Sequence, residues 1–197
     1  MDVHLKGAFN LTHHFGAWLR KEIKAGTRTE KGRIINTASD SGLFGNVGQS
    51  NYGAAKSGIA TFSIIVSREL RKYANVNTVV PSAATRMTID AMPEGHPLRE
   101  MMAKGANKSG LKVYDAANFA PLVAYLASDA SDKVTGQVFR AVGDAVWIYQ
   151  PWHIVGEVNN EGKAFTTAEL AAKFDKLMES APKPANPGDA YGAMFGR

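Results

Sequence analysis

The feature that most limits what this chain can become is an alternation: three short apolar runs separated by longer segments of helical period. The runs are residues 33–38, with Ile34-Ile35 followed by Asn36-Thr37, residues 76–80, stopped by Pro81, and residues 134–142. Their length and their β-branched content mark each as a buried strand. Buried strands that alternate with helices form a parallel sheet covered on both faces. The expected fold class is therefore α/β, a three-layer, doubly wound sheet.

Residues 5–25 are expected to be a helix, because Leu5, Phe9, Thr12, Phe15, Leu19 and Ile23 recur at helical spacing before Gly26. Residues 41–48 hold Gly42, Gly45 and Gly48 and read as a loop. Ser50 or Asn51 can cap a second long helix ending near Tyr73, with Ile59, Phe62, Val66 and Leu70 as its apolar stripe. Ala54, Ala55, Gly58 and Ala60 keep its early turns small enough for close packing. Pro93 and Pro97 bracket a loop before a short helix, and another helix runs through Leu122 and Leu126. Beyond Val146 the pattern changes, so residues 1–146 are expected to hold the sheet and residues 147–197 an extension. There Trp147 and Trp152 fall in an irregular segment, and a helix is expected over 167–179 with Thr166-Thr167 as its cap. The tail, 181–197, is rich in Pro, Gly and Ala and is expected to be mobile.

The composition excludes several classes. With 197 residues, 45% apolar and 21% charged, the chain can bury an ordinary core. No apolar run approaches the ~18 residues of a membrane span. Cysteine is absent, so disulfides and thiolate-bound metals are excluded, and the expected setting is cytoplasmic. His13 and His14 are adjacent, so on a helix they point about 100° apart and cannot chelate; no metal is expected. The net charge of +5 includes a denser basic stretch over 20–33, which reads as a solvated face. No nucleic-acid motif accompanies it, and no nucleic-acid or membrane partner is expected.

The chemistry is carried by spacing. Tyr52 and Lys56 are four residues apart at a helix start, so they share a face. A cation beside a phenol favours the phenolate, which equips the pair for proton transfer. Ser39 follows a strand end, and the glycine loop can fold its hydroxyl back beside the phenol. Two hydroxyls on one carbonyl oxygen would polarise it toward hydride attack.

These residues sit in longer stretches that resemble one family. Gly32-Arg33-Ile34-Ile35-Asn36-Thr37-Ala38-Ser39, Gly48-Gln49-Ser50-Asn51-Tyr52-Gly53-Ala54-Ala55-Lys56 and Asn77-Thr78-Val79-Val80-Pro81 are similar to the catalytic segments of the short-chain dehydrogenases/reductases. The resemblance runs from Met1 to about Gly143. It implies a Rossmann-like sheet of which the last three strands are present, and NAD or NADP as cofactor. It implies that Tyr52 exchanges the proton with substrate, that Lys56 assists it and holds the nicotinamide ribose, and that Ser39 binds the substrate oxygen. Pro81, Ser82, Ala83 and Thr85 would lie along the nicotinamide and its phosphates. The substrate would be a small carbonyl or secondary alcohol, and the two long helices would form subunit interfaces of a homo-oligomer.

Two departures refine the resemblance. His4 stands where many members have a relay asparagine, and Ser82 replaces the usual glycine after Pro81. With Arg86-Met87-Thr88 and Met92-Pro93-Glu94, these point to the 3-hydroxyacyl-CoA dehydrogenase and 3-oxoacyl reductase-like branch. His4 is then either a relay member or a packed ring. The family's N-terminal glycine-rich phosphate turn has no counterpart in this sequence. The expectation is an N-terminally truncated sheet that binds the cofactor weakly, the alternative to an enzyme being an inactive fragment that acts only by association.

Overall fold

A computed structural model describes residues 1–183. Four strands form one sheet in the order β1 (Gly32–Thr37), β2 (Ala74–Pro81), β3 (Val138–Val142) and β4 (Ala145–Tyr149). The first three are parallel, with Ile34 opposite Val76 and Thr78 opposite Val138, and β4 returns antiparallel to β3. The helices are α1 (Gly7–Ala25), α2 (Asp40–Leu43), α3 (Ser50–Glu69), α4 (Arg86–Asp90), α5 (Pro97–Lys104), α6 (Ala120–Ala127) and α7 (Thr167–Glu179).

The period-two alternation of strand side chains decides the layering. Ile34 and Val76 pack with Leu19 of α1, Val66 of α3 and Leu70 just after it. Their neighbours Ile35, Val79 and Phe139 point the other way, onto Leu122 and Leu126 of α6. Both faces are thus covered, which is why β2 is buried from Ala74 to Val80. Leu19 and Leu126 are fully buried; truncating such a residue to alanine typically costs about 2–5 kcal/mol.

The structure departs from expectation in the second half of the sheet. The third strand is shorter than 134–142, because residues 134–137 are tied across the sheet edge by side chains. The Asn77 amide donates to the Val134 carbonyl at 2.9 Å, and the Val76 N–H donates to Thr135 Oγ1 at 3.0 Å. Residues 145–149, expected to be irregular from Trp147 onward, are instead β4. Gly143, at φ +60°, and Asp144 make a two-residue turn, and such a turn matches the twist of a hairpin. The boundary expected after Val146 falls inside this strand. The start of the expected loop over 41–48 is a helical turn, α2, and a π-helical turn, Asp2–Lys6, precedes α1. α7 spans the expected 167–179, with a reciprocal cap between Thr166 and Glu169. Most of the tail expected to be mobile, from 184 onward, lies outside the described residues. Among the described residues no helix is long and apolar enough to cross a membrane.

Candidate active site

Parallel strands deliver their carboxyl ends to one edge of a sheet, where ligands of such folds bind. β1 ends at Thr37, and the Ala38 N–H still reaches the Val79 carbonyl at 2.9 Å. Ser39 then caps α2, its Oγ accepting the Ser41 N–H at 3.2 Å. The next turn lies backbone to backbone on α3: a Cβ built on Gly42 would stand 2.6 Å from the Ser57 nitrogen and 2.8 Å from the Lys56 carbonyl carbon. A Cβ built on Gly53 would stand 3.0 Å from the Ser41 carbonyl oxygen. The glycine loop therefore presses the Ser39 segment against the turn of α3 that carries Tyr52 and Lys56.

Lys56 is buried. Its Nζ donates to the Thr37 carbonyl at 2.9 Å and lies 5.7 Å from the centre of the Tyr52 ring. Burial pushes its pKa below the ordinary lysine value. His4 meets Tyr52 edge to face, with ring centres 5.4 Å apart at 79°. Its pKa is lowered, first by loss of hydration, then by the positive charges of Lys56 and the chain's amino terminus. His4, Tyr52 and Lys56 form one group, and Ser39 sits on the loop packed beside it.

The second predicted set leaves the sheet from the neighbouring strand. β2 runs to Pro81. Ser82 Oγ accepts from an Arg140 guanidinium nitrogen at 3.3 Å. Ala83 accepts the Thr85 N–H through its carbonyl at 3.0 Å, and the Ala84 N–H donates to the Tyr114 carbonyl at 2.8 Å. Thr85 is exposed and caps α4 through its hydroxyl, which accepts the Thr88 N–H at 3.3 Å.

Sequence reasoning missed Asp40, Arg140 and Tyr149. The Asp40 carboxylate receives the Arg140 Nε–H at 3.0 Å and the Tyr149 hydroxyl at 2.8 Å. One signal was available. Arg140 interrupts the apolar run Val138-Phe139-Arg140-Ala141-Val142, and an arginine in a doubly covered strand needs a partner. Away from this edge, His13 stacks on Phe9 at 5.8 Å and meets His14 edge-on at 5.2 Å, on the exposed side of α1.

Comparison with known proteins identifies the family. A family profile described as enoyl-(acyl carrier protein) reductase matches residues 1–143. The hydroxyacyl-CoA dehydrogenase ChsB1 of Mycobacterium tuberculosis is 34% identical over 172 residues, covering 86% of this chain and 52% of that protein. The peroxisomal hydratase-dehydrogenase-epimerase of Saccharomyces cerevisiae is 33% identical over 191 residues, covering 94% of this chain and 18% of the larger protein. A crystal structure of a short chain dehydrogenase from Mycobacterium avium superposes with a TM-score of 0.74 at 34% identity, covering 93% of this chain and 56% of that one. The chain thus spans about half the length of its mycobacterial relatives. With the profile covering residues 1–143 and relatives of this identity, the chain belongs to the short-chain dehydrogenase/reductase family, in its 3-hydroxyacyl-CoA dehydrogenase-like branch.

Proposed function

We propose that this chain carries the substrate-converting half of an NAD(P)-dependent oxidoreductase that interconverts a secondary alcohol and a carbonyl, with a 3-hydroxyacyl thioester as substrate. The observation that carries the reading is the buried Lys56 ammonium. It is pinned to the carbonyl of Thr37, two residues before Ser39, and stands against the Tyr52 ring. The thioester class rests on the names of the relatives, a hydroxyacyl-CoA dehydrogenase and a hydratase-dehydrogenase-epimerase.

The residues present fit the nicotinamide end of such a cofactor. An ammonium has three donors, and among the described residues its one hydrogen-bond acceptor is the Thr37 carbonyl, which leaves donors for a ribose diol. The segment 81–85 leaves the adjacent parallel strand at the same edge and would lie along the ring. When bound, the nicotinamide supplies or takes up the hydride at the substrate carbon. The chain's own residues handle the oxygen. Ser39 donates a hydrogen bond to it, and Tyr52 gives it the proton during reduction and takes the proton back during oxidation. Lys56 stabilises the phenolate that results. His4, in edge contact with Tyr52, is placed to return that proton from solvent.

The chain is further assigned to a homo-oligomer. Phe9, Phe15 and Trp18 on α1 and Ile65 on α3 are exposed, and a groove of about 250 Å³ runs between the two helices. These exposed apolar side chains on the two long helices support an association face.

The test is turnover of NADH and NADPH with a 3-oxoacyl thioester by the wild-type chain and by Tyr52→Phe. Loss of about 10²-fold or more in kcat, with the melting temperature retained, is expected for removal of a general acid. Equal turnover by the two proteins would refute the assignment.

A further inference from the structure

Asp40 and Arg140 lie a hundred residues apart and meet in the interior, with side chains 9% and 1% exposed. Arg140 sits opposite Val80 of β2 on one side and Trp147 of β4 on the other. Its guanidinium lies 5.4 Å from the Trp147 ring centre. It donates to Asp40 Oδ2 at 3.0 Å and to Ser82 Oγ at 3.3 Å. Tyr149, two residues along β4 from Trp147, holds the other oxygen of Asp40 at 2.8 Å. One cation therefore grips the residue after Ser39 and the residue after Pro81.

We propose that Arg140 is a positioning residue, which fixes the loop bearing Ser39 and the segment leaving β2 in a single geometry through Asp40 and Ser82. The proposal rests on the reading of Ser39 as a substrate donor and of the post-β2 segment as the nicotinamide side. A carboxylate held at both oxygens by donors from two paired strands cannot rotate. Asp40 opens α2, and Ser39 caps it, so any shift of Asp40 carries the Ser39 hydroxyl with it. Stability alone does not call for such a pair, since apolar residues of similar volume often replace buried ion pairs without loss. A fixed fork joining two loops does call for it, because the donors of a guanidinium are rigidly arranged.

The direct test is amide hydrogen exchange on the full chain. The reporters are Gly42, Leu43 and Phe44 in the first loop and Ala84 and Thr85 in the second, all hydrogen-bonded through the backbone. In Asp40→Asn, exchange is expected to quicken about tenfold or more at both sets, with Val76 and Val79 in β2 unchanged. Quickening confined to residues 42–44 overturns the proposal, because Arg140 is the link from Asp40 to Ser82 in the second loop. Tyr149→Phe removes one donor to Asp40 and makes the same measurement if Asp40→Asn does not fold. Turnover supplies the second arm. The pair Asp40→Leu with Arg140→Met preserves packing and removes the fork. It is expected to lower kcat for 3-oxoacyl thioester reduction about tenfold or more with KM little changed, as for an interaction that matters only in the transition state. Wild-type kcat in that double variant refutes positioning and leaves the proposed function standing. Wild-type turnover in Tyr52→Phe refutes the proposed function, and the exchange pattern alone then decides the positioning.

Discussion

Two buried cations serve the same edge of the sheet and are treated in opposite ways. Lys56 has a neutral partner, the Thr37 carbonyl, and among the described residues no carboxylate pairs with it. Arg140 has a carboxylate, a serine hydroxyl and an indole face. Burial depresses the pKa of Lys56, so its charge is adjustable. Arg140 presents a rigid planar fork with donors committed to Asp40 and Ser82. The difference separates a cation placed to respond to a neighbouring phenol from one placed to hold loops still.

Arg140→Met breaks the comparison most severely. It strands the Asp40 carboxylate in the interior, and removing one partner of a buried pair typically costs about 3–5 kcal/mol. Urea unfolding is expected to show a loss of that size, and Asp40→Leu added to it should restore most of the stability. A loss below about 1 kcal/mol for Arg140→Met would mean that water reaches Asp40 and that the pair is not truly buried.

Lys56→Met is expected to do the reverse: turnover falls about 10²-fold or more, while stability at neutral pH changes by less than about 1 kcal/mol, since a lost hydrogen bond offsets a relieved desolvation. The pH dependence gives the sign. Unfolded lysine keeps its proton up to about pH 10.4, whereas folded Lys56 releases it earlier. Between those two values the unfolded state binds more protons, so wild-type stability rises with pH through that window. Denaturant midpoints from pH 7 upward should show the rise in wild type and lose it in Lys56→Met.

Gly42→Ala probes what brings the two neighbourhoods together. Its Cβ would fall within 2.8 Å of the α3 backbone, so α2 must move away, at a cost of about 1–3 kcal/mol. Tyr52 and Lys56 stay on α3, and Ser39 moves with α2. The expected result is a drop in turnover beyond what the shift in melting temperature explains, with the fold intact by circular dichroism.

What was legible in the sequence follows the same division. Tyr52 and Lys56 are four residues apart on α3, so local spacing was enough to predict that they share a face. His4 could be placed only by the family resemblance, and its contact with Tyr52 needed the structure. Asp40, Arg140 and Tyr149 meet across about a hundred residues, and no local pattern encodes such a meeting. β4 was within reach: Gly143-Asp144 is a hairpin turn, and Ala145, Trp147 and Tyr149 alternate with the exposed Val146 and Ile148. α7, by contrast, carries its own cap and stripe and was placed to the residue.

The smallest expected effect is the most selective. His4 titrates below the ordinary imidazole range, in part because of the charge on Lys56. A group whose folded pKa is depressed contributes stability that is complete above its unfolded value, about 6.5, and lost as pH falls toward the folded one. At neutral pH His4→Ala should cost only about 0.5–1.5 kcal/mol, the worth of its edge contact with Tyr52. Followed by proton NMR, the His4 imidazole should titrate higher in Lys56→Met, because a like charge has been removed. In the Asp40→Leu, Arg140→Met pair it should stay where it is in wild type. If the second variant moved His4 as far as the first, the two cations would share one electrostatic neighbourhood, and the division between an adjustable and a fixed charge would not hold.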